Sequence, residues 1–323
     1  MKILVTGKGG QLAWELEQAV PKTVKLVSLN SKALDITSKS QILDAVSLYA
    51  PDLIINAAGY TAVDNAETDP LAYSVNHLGS KYLALACKQA GIPLIHVSSD
   101  FVFDGSKTTP YQTDDQPSPI NAYGDSKLKG EQEIAKILGN EATIIRTAWV
   151  YSANGNNFVK TMLRLLSEKN QLGIVYDQVG TPTWANGLAN MIWALVAKHN
   201  IDHDTSCDIT AERGSSGLSS NASGELFSAV TLLHWSDAGV ASWYDFAVAI
   251  QELAIEKMML CNAIPIKPIS ASHYPTPAKR PCFSVIDKTT AEQASGVQTI
   301  HWRKQLSKML DQLATCEKIA KNL

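Results

Sequence analysis

Short apolar runs recur through the first half of the chain, each followed by a stretch with helical spacing. Lys2–Thr6 (KILVT) predicts a strand and Gln11–Val20 a helix. Val24–Leu29 predicts a second strand, with a helix over Ser40–Tyr49. Asp52–Ala58 (DLIINAA) reads as a third strand, followed by a helix over Leu71–Ala90. Pro93–Ser99 (PLIHVSS) is a fourth, before a helix that carries Tyr123 and Lys127, and Ala142–Val150 (ATIIRTAWV) is a fifth. Leu53–Ala58 is apolar on both alternating faces, which suits a central parallel strand covered by helices on both sides. Strands alternating with helices predict a doubly wound, Rossmann-like α/β sheet.

Beyond residue 150 the pattern loosens. Phe158–Glu168 reads as a helix, and Thr183 as the cap of another over Trp184–Lys198. Residues 203–225 are polar and rich in Ser and Gly, which predicts a surface insertion. Ser242–Ala254 (SWYDFAVAIQELA) starts a further helix. Ile266–Pro281 (IKPISASHYPTPAKRP) is broken by prolines and reads as loop.

A chain of 323 residues that is 45% hydrophobic and 18% charged buries a large core. A net charge of −3 with no block of like charges argues against nucleic-acid and membrane-surface partners. No apolar run is long enough to span a bilayer, and no apolar leader precedes the first strand, so the expected location is cytoplasmic. Five scattered cysteines without Cys-x-x-Cys spacing suggest neither a disulfide framework nor a zinc site.

The chemistry starts at Gly7, Gly9 and Gly10, between the first strand and the first helix. A glycine turn there lets backbone amides and the positive end of the helix dipole approach a pyrophosphate. The spacing is Gly7-x-x-Gly10-x-x-Ala13, with Ala13 in place of a third glycine. An acid at the tip of the second strand would repel a 2′-phosphate, but the tip reads Leu29-Asn30-Ser31-Lys32, which favours NADP(H) over NAD(H). Ser98 and Ser99 end the fourth strand, where the carboxyl ends of such sheets line the ligand crevice. Tyr123 and Lys127 are spaced to lie side by side on the next helix. A phenol has a reference pKa near 10, and a neighbouring ammonium is expected to lower it. Together these features predict a dinucleotide-dependent enzyme with Ser99, Tyr123 and Lys127 as its catalytic group. Residues 1–150 would form the cofactor-binding unit, to which about 173–198 and 229–236 return. Residues 151–323 would mainly bind substrate.

The segments ILVTGKGGQL, DLIINAAGYTAVDNAE, SSDFVFDG, NAYGDSKLKGE, IIRTAWVYS, GTPT, SWYDFA and KRP resemble the dTDP-4-dehydrorhamnose reductase family, within the extended short-chain dehydrogenase/reductase superfamily. The resemblance runs from residue 1 to about 290. It implies NADPH-dependent reduction of the 4-keto group of a dTDP-sugar, with NADH as a possible substitute. It places Gly7, Gly10, Gln11 and Leu12 at the pyrophosphate, and Asp35 and Ile36 near the adenine, beside Asn30, Ser31 and Lys32. Ala57, Ala58 and Tyr60 would line the nicotinamide half, and Asn76 would sit behind the active site. Val63 and Trp149 would sandwich the sugar, Phe101 would touch it, and Arg280 would hold the diphosphate. Some relatives dimerise around magnesium held by acidic residues. Glu15 matches one of these, but Asn186 and Thr289 stand where the others would be, so no metal is expected and a homodimer stays open. Ser99 stands where the family usually has Thr, Phe101 where Tyr is common, and Cys282-Phe283 follows KRP. Two rival readings use the same motifs: another nucleotide-sugar epimerase or reductase, and a non-catalytic NADP-binding regulatory subunit.

Overall fold

The structure is a computed structural model and describes residues 1–205 and 230–321. Five parallel strands come from the first half: β1 (Lys2–Thr6), β2 (Lys25–Leu29), β3 (Leu53–Asn56), β4 (Leu94–Ser99) and β5 (Ala142–Thr147). A sixth, Thr231–Trp235, joins parallel to β5, and the order across the sheet is that strand, then β5, β4, β3, β1 and β2. Helices α1 (Gln11–Gln18), α2 (Lys39–Tyr49), α3 (Leu71–Tyr73), α4 (Ser80–Ala90) and α5 (Ala122–Leu138) come between the first five strands.

The alternation of side chains splits the core into two layers. Ile3, Val5, Ile55 and Ile95 face α1 and the helix Ala185–Thr205, through Leu12, Leu16, Leu188 and Ile192. Leu4, Ile54, Leu94 and Ile144 face the other way, onto Ile42, Leu83 and Ile134. The chain leaves β1 toward β2 and returns on the opposite side as β3, so the strand order reverses between β1 and β3. In a sheet of this kind the ligand crevice opens at that reversal, beyond the carboxyl ends of the strands. A third cluster, built on Tyr151, Trp184, Phe246, Trp302, Leu306 and Met309, lies in the later part of the chain.

Several elements differ from the sequence expectation. The fifth strand stops at Thr147. Trp149 follows with φ +47°, and Val150–Tyr151 pairs with Thr183–Trp184 outside the main sheet. Thr183 is therefore a strand residue and not a helix cap; the amide of Trp184 donates instead to Asp237 Oδ2 at 3.0 Å. Within Ile266–Pro281, Ile266–Ile269 forms a strand parallel to Leu172–Val175. The polar segment 203–225 lies outside the described residues after position 205. No helix among the described residues is long and apolar enough to cross a membrane.

Between α3 and α4 the helix widens into a π turn, Ser74–Gly79, and α5 packs directly against it. Gly130 permits that approach, because a Cβ there would meet the carbonyl oxygen of Asn76 at 2.2 Å. Helix propensity alone would make Gly130→Ala stabilising by roughly 1 kcal/mol. The clash is with backbone, so packing should win. We expect the substitution to destabilise by about 1–3 kcal/mol, read as a lower urea midpoint. An unchanged or higher midpoint would mean that the two helices separate easily.

Candidate active site

The glycine turn is built as its spacing predicts. Gly7 has φ +80°, and a Cβ on it would collide with Ala58 N and Ala57 O at 2.7 and 2.8 Å. Only glycine fits there, which brings the turn against the end of β3. Gly10 precedes α1 and supplies no side-chain cap, so the first helical amides stay available to an anion. Gln11 reaches outward: its Oε1 accepts from Asn157 Nδ2 at 3.0 Å, and Asn154 Nδ2 donates to Gly9 O at 3.1 Å. This clamp from residues 154–157 was not read from the sequence, where two asparagines carry no distinctive signal. The Leu12 side chain is buried in the core and leaves only backbone to the turn.

At the tip of β2, Asn30 Oδ1 accepts from the amides of Lys32 and Ala33 at 3.1 and 3.0 Å, and so shapes its own turn. Ser31 and Lys32 are exposed at that tip. Asp35 accepts from the amide and hydroxyl of Thr37, and buried Ile36 lies against Gly79. Asn76, 1% exposed, accepts from the amide of Tyr60 at 2.9 Å and donates to Tyr60 O and Ser126 Oγ. It thereby ties the loop after β3 to the helix that bears Tyr123 and Lys127.

Asn121 caps α5 by accepting from Gly124 N at 2.8 Å, which starts the helix just before Tyr123. A Cβ on Gly124 would meet the carbonyl oxygen of Phe101 at 2.1 Å, so α5 begins hard against the loop after β4. Phe101 packs edge-on to Tyr123, with ring centroids 5.5 Å apart, and Tyr60, Val63 and Ala122 complete this apolar patch. Ser99 donates to Asp100 Oδ1 at 3.0 Å and also lies against the Tyr123 phenol. Its one proton serves one partner at a time. Burial pushes the Tyr123 phenol up to about 12; the Ser99 contact opposes the shift and the charge of Asp100 adds to it. Lys127 is not among the causes, so the expected lowering of the phenol by the ammonium is corrected here. Lys127 Nζ instead donates to Val97 O at 2.7 Å, and burial brings its pKa down to about 8.

Asp100, inside SSDFVFDG, was not among the site residues expected from the sequence. It is 2% exposed, and burial raises its carboxyl to about 6 against the opposing contacts of Ser284 and Ser99. Its burial has no sequence signature.

Of the expected substrate residues, Val63 and Phe101 share the patch around Tyr123. Trp149 stacks on Trp243 at 3.5 Å and 4°, and packs in clusters that do not include Val63. Arg280 forms a two-pronged pair with Asp64, at 2.9 and 2.8 Å, which holds the Asp64 carboxyl below its usual range. Glu15 is fully buried and accepts from Ser152 Oγ, Trp184 Nε1 and Asn186 Nδ2 at 2.7, 3.2 and 3.1 Å. A carboxylate occupied by three internal donors does not fit a magnesium ion shared between subunits. Among the described residues no group of three His, Cys, Asp or Glu side chains is arranged to hold a metal.

The family profile described as "RmlD substrate binding domain" matches residues 1–315. A dTDP-4-dehydrorhamnose reductase of Aggregatibacter actinomycetemcomitans is 36% identical over 94% of this chain and 97% of its own length. The crystal structure of a dTDP-4-dehydrorhamnose reductase from Clostridium acetobutylicum superposes with a TM-score of 0.83 at 34% identity, covering 97% of this chain and 100% of that one. The enzyme of that name from Bacillus anthracis, crystallised in complex with NADP, gives a TM-score of 0.80 at 31% identity over 96% and 99% of the two chains. A dinucleotide turn, hydroxyls at the tip of β4 and near-full-length kinship converge on one assignment: the chain belongs to the RmlD family, that of the dTDP-4-dehydrorhamnose reductases.

Proposed function

We propose that this protein uses NADPH to reduce the 4-keto group of dTDP-4-dehydro-β-L-rhamnose to dTDP-L-rhamnose, a step toward cell-surface polysaccharide. The observation that carries the reading is the contact between Ser99 at the end of β4 and Tyr123 on α5, in a member of this family whose Gly7 turn packs against the end of β3. NADPH, when bound, supplies the hydride. The glycine turn and the first amides of α1 would hold its pyrophosphate, and exposed Ser31 and Lys32 suit a 2′-phosphate. We place the enzyme in the cytoplasm.

The chain's own residues supply the proton and the orientation. Near neutral pH Tyr123 carries its proton, because burial holds its pKa at about 12. As charge develops on the sugar oxygen, an alkoxide is a stronger base than a phenolate, so Tyr123 can act as general acid. Ser99 turns from Asp100 to donate to the same oxygen. Phe101, Val63 and Tyr60 keep water from the phenol. Lys127 presents a charged donor to the cofactor ribose from beneath the site. Arg280 meets the substrate diphosphate by sharing or exchanging Asp64. Trp149 offers the sugar an edge of its stacked pair.

The deciding assay follows loss of reduced-nicotinamide absorbance with dTDP-4-dehydro-β-L-rhamnose. Stoichiometric consumption with formation of dTDP-L-rhamnose is expected, whereas bound NADPH that is never consumed would favour a regulatory or epimerase role. Tyr123→Phe should lower kcat on the order of 100-fold or more while NADPH still binds; unchanged turnover would remove Tyr123 from the mechanism. Lys127 acts as a cation and its pKa is lowered to about 8, so kcat/KM for NADPH should be full below that value and decline as pH rises through it. A profile flat to well above pH 8 would contradict this role.

A further inference from the structure

Tyr123 and Lys127 share one face of α5, and a third ionisable group, Glu131, follows on the same face after one more turn. Glu131 is 0% exposed and so is Arg146 on β5, whose guanidinium grips it through Nε at 3.0 Å and Nη2 at 2.7 Å. Behind Arg146 stands buried His234, whose Nε2 is 3.5 Å from Nη1 and whose Nδ1 lies 3.1 Å from Tyr111 O. A line of buried charge therefore runs from the reaction site into the core.

We propose that Glu131 is a positioning residue for the reaction: its charge, one helical turn behind Lys127, keeps that side chain an ammonium, and Arg146 holds the Glu131 carboxylate in place. The inference rests on the reading that Lys127 serves NADPH.

Lys127 has few other sources of compensation. Val97 O is its hydrogen-bond acceptor, a dipole and not a charge. The ionisable groups that face it are Tyr123 and Glu131 on its own helix and His96 on β4. The loop after β3 meets it with Gly59, and the π turn lies close by with the uncharged amide of Asn76. His96 accepts from Asn56 at Nδ1, and burial together with Lys127 keeps it neutral. Burial favours loss of the Lys127 proton, and Glu131 is the group that opposes it. Stability alone is a weak reason for the Glu131–Arg146 pair, since apolar replacement of a buried ion pair is often neutral or stabilising. A function through Lys127 accounts for it.

The test measures NADPH affinity against pH, by fluorescence titration, for the wild type, Glu131→Gln and the double variant Glu131→Gln/Arg146→Met. The wild type should bind well at low pH and weaken as Lys127 loses its proton. Removing Glu131 should move that weakening to lower pH by about one to two units. The double variant removes both charges and guards against a single variant that fails to fold. Folded variants whose affinity weakens where the wild type's does would overturn the inference. Failure of both variants to fold would also overturn it, since the pair would then be structural. Wild-type affinity that is absent or independent of pH would instead overturn the role given to Lys127, and it would show without any variant.

Discussion

An ammonium removed from water must be given partners, or it surrenders its proton. Lys127 is 5% exposed, and much of the surrounding architecture meets that requirement. The carbonyl of Val97 on β4 accepts from it, while Gly124 and Gly130 let α5 sit against Phe101 O in the loop after β4 and Asn76 O in the π turn. The same approach seats Tyr123 against Ser99 and carries Glu131 to Arg146. One helix, set through two glycines against the loop after β4 and the π turn, fixes the positions of the phenol, the ammonium and the carboxylate together.

Much of this could be read from the chain before its structure was known. Five strands follow from apolar runs and the crevice from their alternation with helices, because the period of apolar and polar residues is a local property. The place of Ser99 at the end of β4, and of Tyr123 and Lys127 one turn apart on the next helix, was legible from motif and spacing. What escaped depends on distant partners. Thr183 looks like a cap until Asp237 is found to take the amide of Trp184. The run through Val150 looks like one strand until Trp149 turns out to have positive φ, an uncommon conformation for a bulky residue. The phenol pKa was misjudged because a four-residue spacing speaks of neighbours and says nothing of burial or of Asp100.

The early and late parts of the chain meet through polar contacts as well as apolar ones. Gln11 and Asn157 join the glycine turn to the segment before Phe158, Asp64 and Arg280 join the loop after β3 to the KRP segment, and Glu15 gathers Ser152, Trp184 and Asn186. Such contacts depend on direction, so they fix how one part sits on the other more tightly than apolar packing does. Two of them engage Gln11 and Arg280, the residues expected at the cofactor pyrophosphate and the substrate diphosphate.

The Trp149–Trp243 stack lies where β5 gives way to the later part of the chain. A Cβ on Gly180 would strike the Trp149 ring at 2.7 Å, so the pair is wedged as well as stacked. Two indoles so close and so nearly parallel couple their strong far-ultraviolet transitions and act on polarised light there as a single chromophore. The protein thus carries its own optical gauge at this joint: a hinge movement too small to change its secondary structure would still part the rings and erase the coupled signal.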